Sequence, residues 1–508
     1  MDMSTRGEET LRTYEEVNRK IVSGDAVVMT ADEFVELVRA GGIEAAAKEV
    51  DVVTTGTFGA MCSSGAFLNI GHTEPPIRLN ECFLNDVPCY TGLAAVDIFV
   101  GATAMSRTRG IEYGGGHVIE DLVAGREVEL KAEGRGTDCY PRRYLETTIS
   151  LEEINQAVLL NPRNAYERYN GATNSSDRLL HTYMGTLLPK LGNITYSGSG
   201  QLSPLYKDRG FETLGIGTRI FLAGAAGYIV GEGTQHHPQK QLGTLMVRGD
   251  LKEMDPLYLK GASIQDYGPS LYVGLGVPLP IINLRVAKTA ATPDEEIKTE
   301  IKDYGIASSA RPSLRTVTYA ELKSGRVNLN GRDVPASPMS SHKHAKEIAE
   351  ELKGRIKKGR FLLSRPAELL PIERPLKLLR TKNSHTVGDI MIANFATAGP
   401  RCDISRAATL IVQSGIDHLP IVDEGGRLIG IVTSWDIAKA VATGKQHLRS
   451  IMTTSVVSFS KEDSVDEAAN RLLTNHISGA PVVDRENKVV GLITIEDLTK
   501  LYGRRGAR

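Results

Sequence analysis

Two periods of apolar and polar residues run along this chain, and together they predict its elements. Glu8–Val22 carries apolar residues at helical spacing among charged ones and reads as an amphipathic helix. Thr30–Arg39 reads as a second helix, with Thr30 as its cap, Glu33 completing a capping box and Gly41-Gly42 ending it. Val50–Thr55 is a β-branched run and predicts a strand. It feeds a loop rich in glycine and hydroxyl groups, Gly56–Gly65. Val96–Ala102 and Arg219–Ala223 are apolar runs that end in small residues and predict buried strands. Strands alternating with helical stretches predict a large Gly-rich α/β domain over 1–340, with its strand order open. In Ser341–Lys358, Glu347, Glu350 and Glu351 precede Lys353, Lys357 and Lys358 at helical spacings. This predicts a solvated helix opening a linker, 341–385, punctuated by Pro366 and Pro375.

Beyond the linker the pattern repeats. His418-Leu419-Pro420-Ile421-Val422-Asp423 returns as Gly479-Ala480-Pro481-Val482-Val483-Asp484. Gly430-Ile431-Val432-Thr433-Ser434-Trp435-Asp436 returns as Gly491-Leu492-Ile493-Thr494-Ile495-Glu496-Asp497. Pro420 and Pro481 are 61 residues apart, as are Gly430 and Gly491. A fixed period with matched elements marks a repeated unit, here a strand, a helix, two strands and a second helix. The two copies, about 386–441 and 448–502, resemble a tandem pair of CBS motifs (a Bateman module), the small domains that bind adenosine-containing ligands. Thr433 and Thr494 fall at the start of each last helix, with Asp436 and Asp497 three residues on. The resemblance implies that the hydroxyl and the helix N-terminus receive a phosphate or its replacement, and that the aspartate accepts from ribose hydroxyls. Free N–H groups and the helix dipole favour anions there. Thr-x-x-Asp is equally an ordinary capping box. S-adenosylmethionine, AMP and ATP all remain open as ligands.

Composition narrows the remaining classes. The chain has 508 residues, 41% hydrophobic and 24% charged, with a net charge of −1. That is an ordinary globular chain without a global charge to draw nucleic acid or a membrane surface. Met1–Lys20 is polar, and the apolar stretches near 220–230 and 271–286 are too short or too broken by Gly and Pro to span a bilayer. Five cysteines without a secretory signal point to a reducing, cytoplasmic setting with free thiols.

Candidate chemistry lies in the first 340 residues. Cys82 and Cys89 sit in apolar surroundings and read as small core residues. No Cys-x-x-Cys pair supports a metal site. Cys62 follows a strand among Gly, Ser and Thr, where backbone N–H groups can stabilise a thiolate. Cys139 lies in a loop with Arg135, Arg142 and Arg143, a setting that favours a thiolate and suits a carboxylate substrate. Arg142 or Arg143 is placed to hold such a carboxylate, and His117, His236 and His237 are candidates for proton transfer, each weighed against a structural role. No clean Gly-x-Gly-x-x-Gly follows a strand, so no tightly bound cofactor is expected there.

Four segments together, Thr54–Ala66, Gly114–Leu122, Thr137–Pro141 and Gly231–Pro238, resemble the homocysteine biosynthesis, sulfur-incorporation family. The resemblance covers most of residues 10–365. It implies conversion of aspartate semialdehyde and reduced sulfur, as sulfide or a persulfide, to homocysteine, with Cys62 and Cys139 as the reactive pair. Exchanging an aldehyde oxygen for sulfur leaves the product two electrons short. Two thiols closing to a disulfide supply them, with an external iron–sulfur protein expected as the electron donor. S-adenosylmethionine lies downstream of homocysteine, which puts it ahead of AMP or ATP as the ligand of the CBS pair. A homodimer or larger assembly through that pair is expected. The competing readings are a non-catalytic nucleotide sensor and an NAD-linked oxidoreductase with a CBS appendage.

Overall fold

A computed structural model of the chain describes residues 10–165, 167–306, 311–374 and 385–503. They divide into two compact units, one ending at 374 and the other beginning at 385. The punctuated stretch at 375–384 lies outside the described residues.

The first unit opens with α1 (Tyr14–Ser23) and α2 (Ala31–Gly41). Thr13 and Glu16 form a capping box that starts α1 well after Glu8, the position the periodicity predicts. Thr30 and Glu33 cap α2 as expected. The β-branched run becomes Val52–Thr54, parallel to Val28–Thr30.

The strands around the site are β1 (Thr57–Ala60), β2 (Gly65–Asn69), β3 (Glu81–Leu84), β4 (Val87–Cys89), β5 (Asp97–Gly101), β6 (Val128–Glu133), β7 (Tyr144–Ile149), β8 (Gln156–Asn164) and β9 (Gly268–Gly276). β2 lies between β5 and β8 in a nine-stranded sheet whose described pairings are all antiparallel. β1 joins this sheet by pairing with β9. β3, β4, β6 and β7 form a second antiparallel sheet in the order β7-β6-β3-β4. The unit is mixed α/β, and its large sheet is built from antiparallel neighbours. Alternation along β2 buries Ala66 and Leu68 and leaves Phe67 half-buried. Asn85 and Asp86, at φ 47° and 62°, make the two-residue turn between β3 and β4, a left-handed pair that matches strand twist.

Two helices pack against this framework. α3 (Gly115–Val123) buries Val118, Ile119 and Leu122. α4 (His342–Lys357), capped by Ser341, corrects the expectation of a solvated linker helix. Ala345, Ile348, Ala349, Leu352 and Ile356 are all fully buried, and the glutamates and lysines that dominate its sequence line only the outer side. The segment 342–357 therefore belongs to the first unit. Among the described residues no helix is long and apolar enough to cross a membrane.

The second unit repeats helix, hairpin, helix: α5 (Ile404–Ser414), β10 (His418–Val422), β11 (Leu428–Thr433), α6 (Ser434–Ala442), then α7 (Val465–Thr474), β12 (Gly479–Val483), β13 (Val489–Thr494) and α8 (Ile495–Gly503). The first strand expected of each repeat is reduced to a single bridge, Ala398 to Ile421 and Phe459 to Val482. The hairpins meet where His418 Nε2 lies 3.0 Å from Ser478 Oγ and its ring covers Gly479.

Candidate functional site

Cys62 sits on the tight turn from β1 to β2, closed by Ser64 N–H donating to the Met61 carbonyl at 2.9 Å. Its half-buried sulfur is 3.1 Å from Ser270 Oγ at the start of β9. The glycines of Gly114-Gly115-Gly116 have a steric reason beside this turn. A Cβ on Gly116 would lie 2.1 Å from the Ser270 carbonyl oxygen, and one on Gly115 would lie 1.9 Å from that of Gly101. They let the start of α3 pack directly on β5 and β9, which pair with the two strands joined by the Cys62 turn.

A cavity of about 210 Å³ is lined in part by Arg163, Tyr183, Gln235, His237, Thr244 and Tyr304, and the Cys62 turn connects to this lining through its neighbours. Ser63 Oγ reaches the Arg163 carbonyl at 3.5 Å, and Tyr267, whose ring is 6.2 Å from Tyr183, bridges from the Cys62 side. Burial pushes the Tyr267 phenol up, and the nearby Cys62 and Tyr183 add to the shift. Inside the cavity Tyr183 and Tyr304 share a hydrogen bond of 2.7 Å. Burial, then that bond, keeps the Tyr304 phenol protonated. Arg311 lies 4.4 Å over the Tyr304 ring and donates to Tyr183 at 3.4 Å. His237 lines the wall with a buried Nδ1 that has no hydrogen-bond partner among the described residues. Arg163, Tyr183, Tyr304 and Arg311 were invisible to motif reading because they come from three separate segments.

The other candidates are placed as follows. His236 is buried, and both its ring nitrogens are taken by backbone. Thr244 N–H donates to Nδ1 at 3.0 Å, which leaves Nε2–H to donate to the Pro371 carbonyl at 3.0 Å. It is its neighbour His237 that lines the cavity. His117 Nδ1 accepts from Gly114 N–H at 3.2 Å at the start of α3, its ring stacks on Tyr113, and burial lowers its pKa. Arg142 donates to the carbonyls of Pro75 and Glu74, so its guanidinium is held by backbone. Arg143 lies across Gly136. Cys139 is exposed near the tip of a hairpin extension between β6 and β7, where Thr137 and Tyr140 exchange backbone hydrogen bonds of 2.9 and 3.1 Å. Cys82 and Cys89 face each other across β3 and β4. The Cys82 contact, then burial, holds the Cys89 thiol well above the usual range.

A family model described as homocysteine biosynthesis enzyme, sulfur-incorporation, matches residues 26–363, and CBS domains match 387–443 and 448–504. The chain belongs to the homocysteine biosynthesis, sulfur-incorporation family. Among proteins similar to this family member are the L-aspartate semialdehyde sulfurtransferases of Methanosarcina acetivorans and Methanocaldococcus jannaschii. The first is 49% identical and the second 46%, each alignment spanning 97% of this chain and 99% of the relative. A solved CBS domain pair in complex with 5′-methylthioadenosine and S-adenosyl-L-methionine is 43% identical. It covers 24% of this chain and 98% of its own, with a TM-score of 0.24.

In the CBS pair of this family member, both Thr-x-x-Asp sequences form capping boxes. Asp436 Oδ2 accepts from Thr433 N–H at 2.9 Å and Thr433 Oγ1–H at 2.7 Å. Asp497 does the same for Thr494 at 3.0 and 2.6 Å. Each aspartate is half-buried and makes its capping contacts with one carboxylate oxygen.

Proposed function

We propose that the chain is an L-aspartate semialdehyde sulfurtransferase making L-homocysteine from aspartate semialdehyde and sulfide or a persulfide donor. The observation that carries this reading is Cys62 on a turn linked through Ser63 and Tyr267 to a small cavity walled by Arg163, His237 and the Tyr183–Tyr304 pair. In this scheme Arg163 and Arg311 hold the substrate carboxylate. His237 passes a proton to the departing aldehyde oxygen. Sulfide adds to the aldehyde carbon, and loss of water leaves a thioaldehyde; a persulfide donor would first take two electrons and two protons from the external donor to release its outer sulfur as sulfide. Two electrons and two protons then complete the thiol. Cys62 and Cys139 supply them by closing to a disulfide, which an external iron–sulfur protein reopens.

The CBS pair takes an adenosyl ligand at Thr433, Asp436, Thr494 and Asp497, with S-adenosylmethionine ahead of AMP or ATP because it lies downstream of the product. The pair also serves as a contact between subunits.

The test is direct. Enzyme given sulfide, aspartate semialdehyde and a reductant is assayed for homocysteine, and the protein is mapped by mass spectrometry for sulfur or substrate on Cys62 or Cys139. Without reductant, formation is expected to stop after about one equivalent per site. No homocysteine from the reduced wild-type enzyme would end this reading, and repeated turnover without reductant would end the disulfide scheme.

A further inference from the structure

We propose that the active site is composite: Cys139 of one protomer meets Cys62 of a second copy of the chain. The inference rests on the reading of these cysteines as one redox pair. A disulfide needs Cα atoms within about 7 Å, and within one chain β2 stands between the two cysteines. Cys62 precedes its first residue, Gly65. Pairing then continues to Ile70, whose N–H donates to the Val96 carbonyl at 3.2 Å. Five residue steps of strand span about 17 Å. The Cys139 hairpin is attached beyond that far end. Tyr140 stacks on His72 with ring centroids 5.8 Å apart, and Arg142 is bound to the carbonyls of Glu74 and Pro75.

The hairpin is also fixed against folding back. Gly134 N–H donates to the Arg143 carbonyl at 2.8 Å, Arg135 N–H donates to Asn80 Oδ1 at 3.0 Å, and Thr137 and Tyr140 close the tip. It therefore presents Cys139 outward as a preformed finger. Tyr144, at the hairpin base, is 70% exposed, and Tyr90 and Leu93, in the segment bound to Asn80 through Thr91, are 62% and 40% exposed. Large exposed aromatic side chains around a projecting loop are the composition that anchors protein interfaces.

A two-fold axis makes such an arrangement reciprocal: each finger enters the partner's cleft, and two equal sites form. In the redox step the Cys62 and Cys139 thiols of different chains lose two protons and two electrons as the intersubunit S–S bond forms. The thioaldehyde takes up both pairs and becomes the product thiol, and the external donor later returns two electrons to the disulfide.

Heterodimers with differently tagged subunits decide the matter. Cys62→Ser paired with Cys139→Ser retains one complete site if the site is composite, so about half of wild-type activity is expected, against none in either parent homodimer. Wild-type chain paired with the Cys62→Ser/Cys139→Ser double variant is expected to be inactive, because each site then lacks one thiol. Within-chain pairing reverses both results and would overturn the proposal. Mild oxidation should also give a dimer-sized band on non-reducing electrophoresis that either Ser variant abolishes. Full activity in a parent homodimer would instead remove the redox-pair reading, and the composite site with it.

Discussion

His236 and His237 are adjacent in sequence and opposite in use. His236 is a buried strut between the Thr244 N–H and the Pro371 carbonyl, and His237 faces the cavity. His236→Ala is expected to strand buried backbone groups and cost about 1–3 kcal/mol in thermal unfolding. His237→Ala is expected to keep the fold and lower kcat/KM by about 10²-fold or more, seen in steady-state kinetics. The Gly231–Pro238 motif marks the stretch that lines the cavity, but no pattern distinguishes the two rings. Which one lines the cavity is set by the loop that turns Thr244 and Pro371 onto His236, more than a hundred residues apart. The same holds for Arg142, legible as an anion-binding arginine but held by the carbonyls of Glu74 and Pro75. The turn at Cys62 was legible because it is local: one strand followed by small residues.

A second residue gives the fold a pH dependence. Burial, then Lys323, pushes His342 down to about 4, with Lys346 adding to this and Asp294 and Asp32 pulling the other way. The folded state thus holds it neutral, whereas the unfolded chain protonates it near pH 6.5. Its contribution to stability is complete above about pH 6.5 and is lost as pH falls towards 4. The midpoint of thermal unfolding should drop over that window in the wild type and less in His342→Gln.

Among elements, α4 shows how charge can mask a core helix. Its lysines and glutamates give a solvated pattern, and its smaller apolar residues at helical spacing carry the packing. A Cβ on Gly56 would lie 2.0 Å from the Ala345 carbonyl oxygen, so helix and loop touch backbone to backbone. Leu352→Ala should cost about 2–5 kcal/mol, the range for a fully buried leucine, read from denaturant unfolding of the first unit. Lys343→Ala, on the exposed side, should change stability by less than about 0.5 kcal/mol. The capping boxes of α2, α6 and α8 were legible because each is written within four residues. The order of the large sheet was not, because antiparallel strands from residues 57 to 276 pair across long separations.

At the scale of the molecule, two units with separate cores share one chain. The adenosyl reading makes a specific demand here. Asp436→Asn with Asp497→Asn keeps an oxygen for each cap and removes the charge that faces ribose. Calorimetry with S-adenosylmethionine on the full chain should then show at least tenfold weaker binding with little change in unfolding temperature. Equal affinity would leave the two aspartates as caps alone. If binding regulates catalysis, saturating ligand must also shift sulfur transfer, since an effector acts only through different affinities for active and inactive states.

The placement of α4 has a consequence during synthesis. The strands it covers are complete by Gly276, yet Ile348 and Leu352 reach the ribosome's exit only afterwards. At about 5–20 residues per second, roughly 4–16 s pass between the joining of Gly276 and that of residue 357. Until then the nascent chain carries an open apolar seam along β9. Translation speed and chaperone supply, as much as the finished contacts, will therefore govern how much of this protein accumulates in folded form.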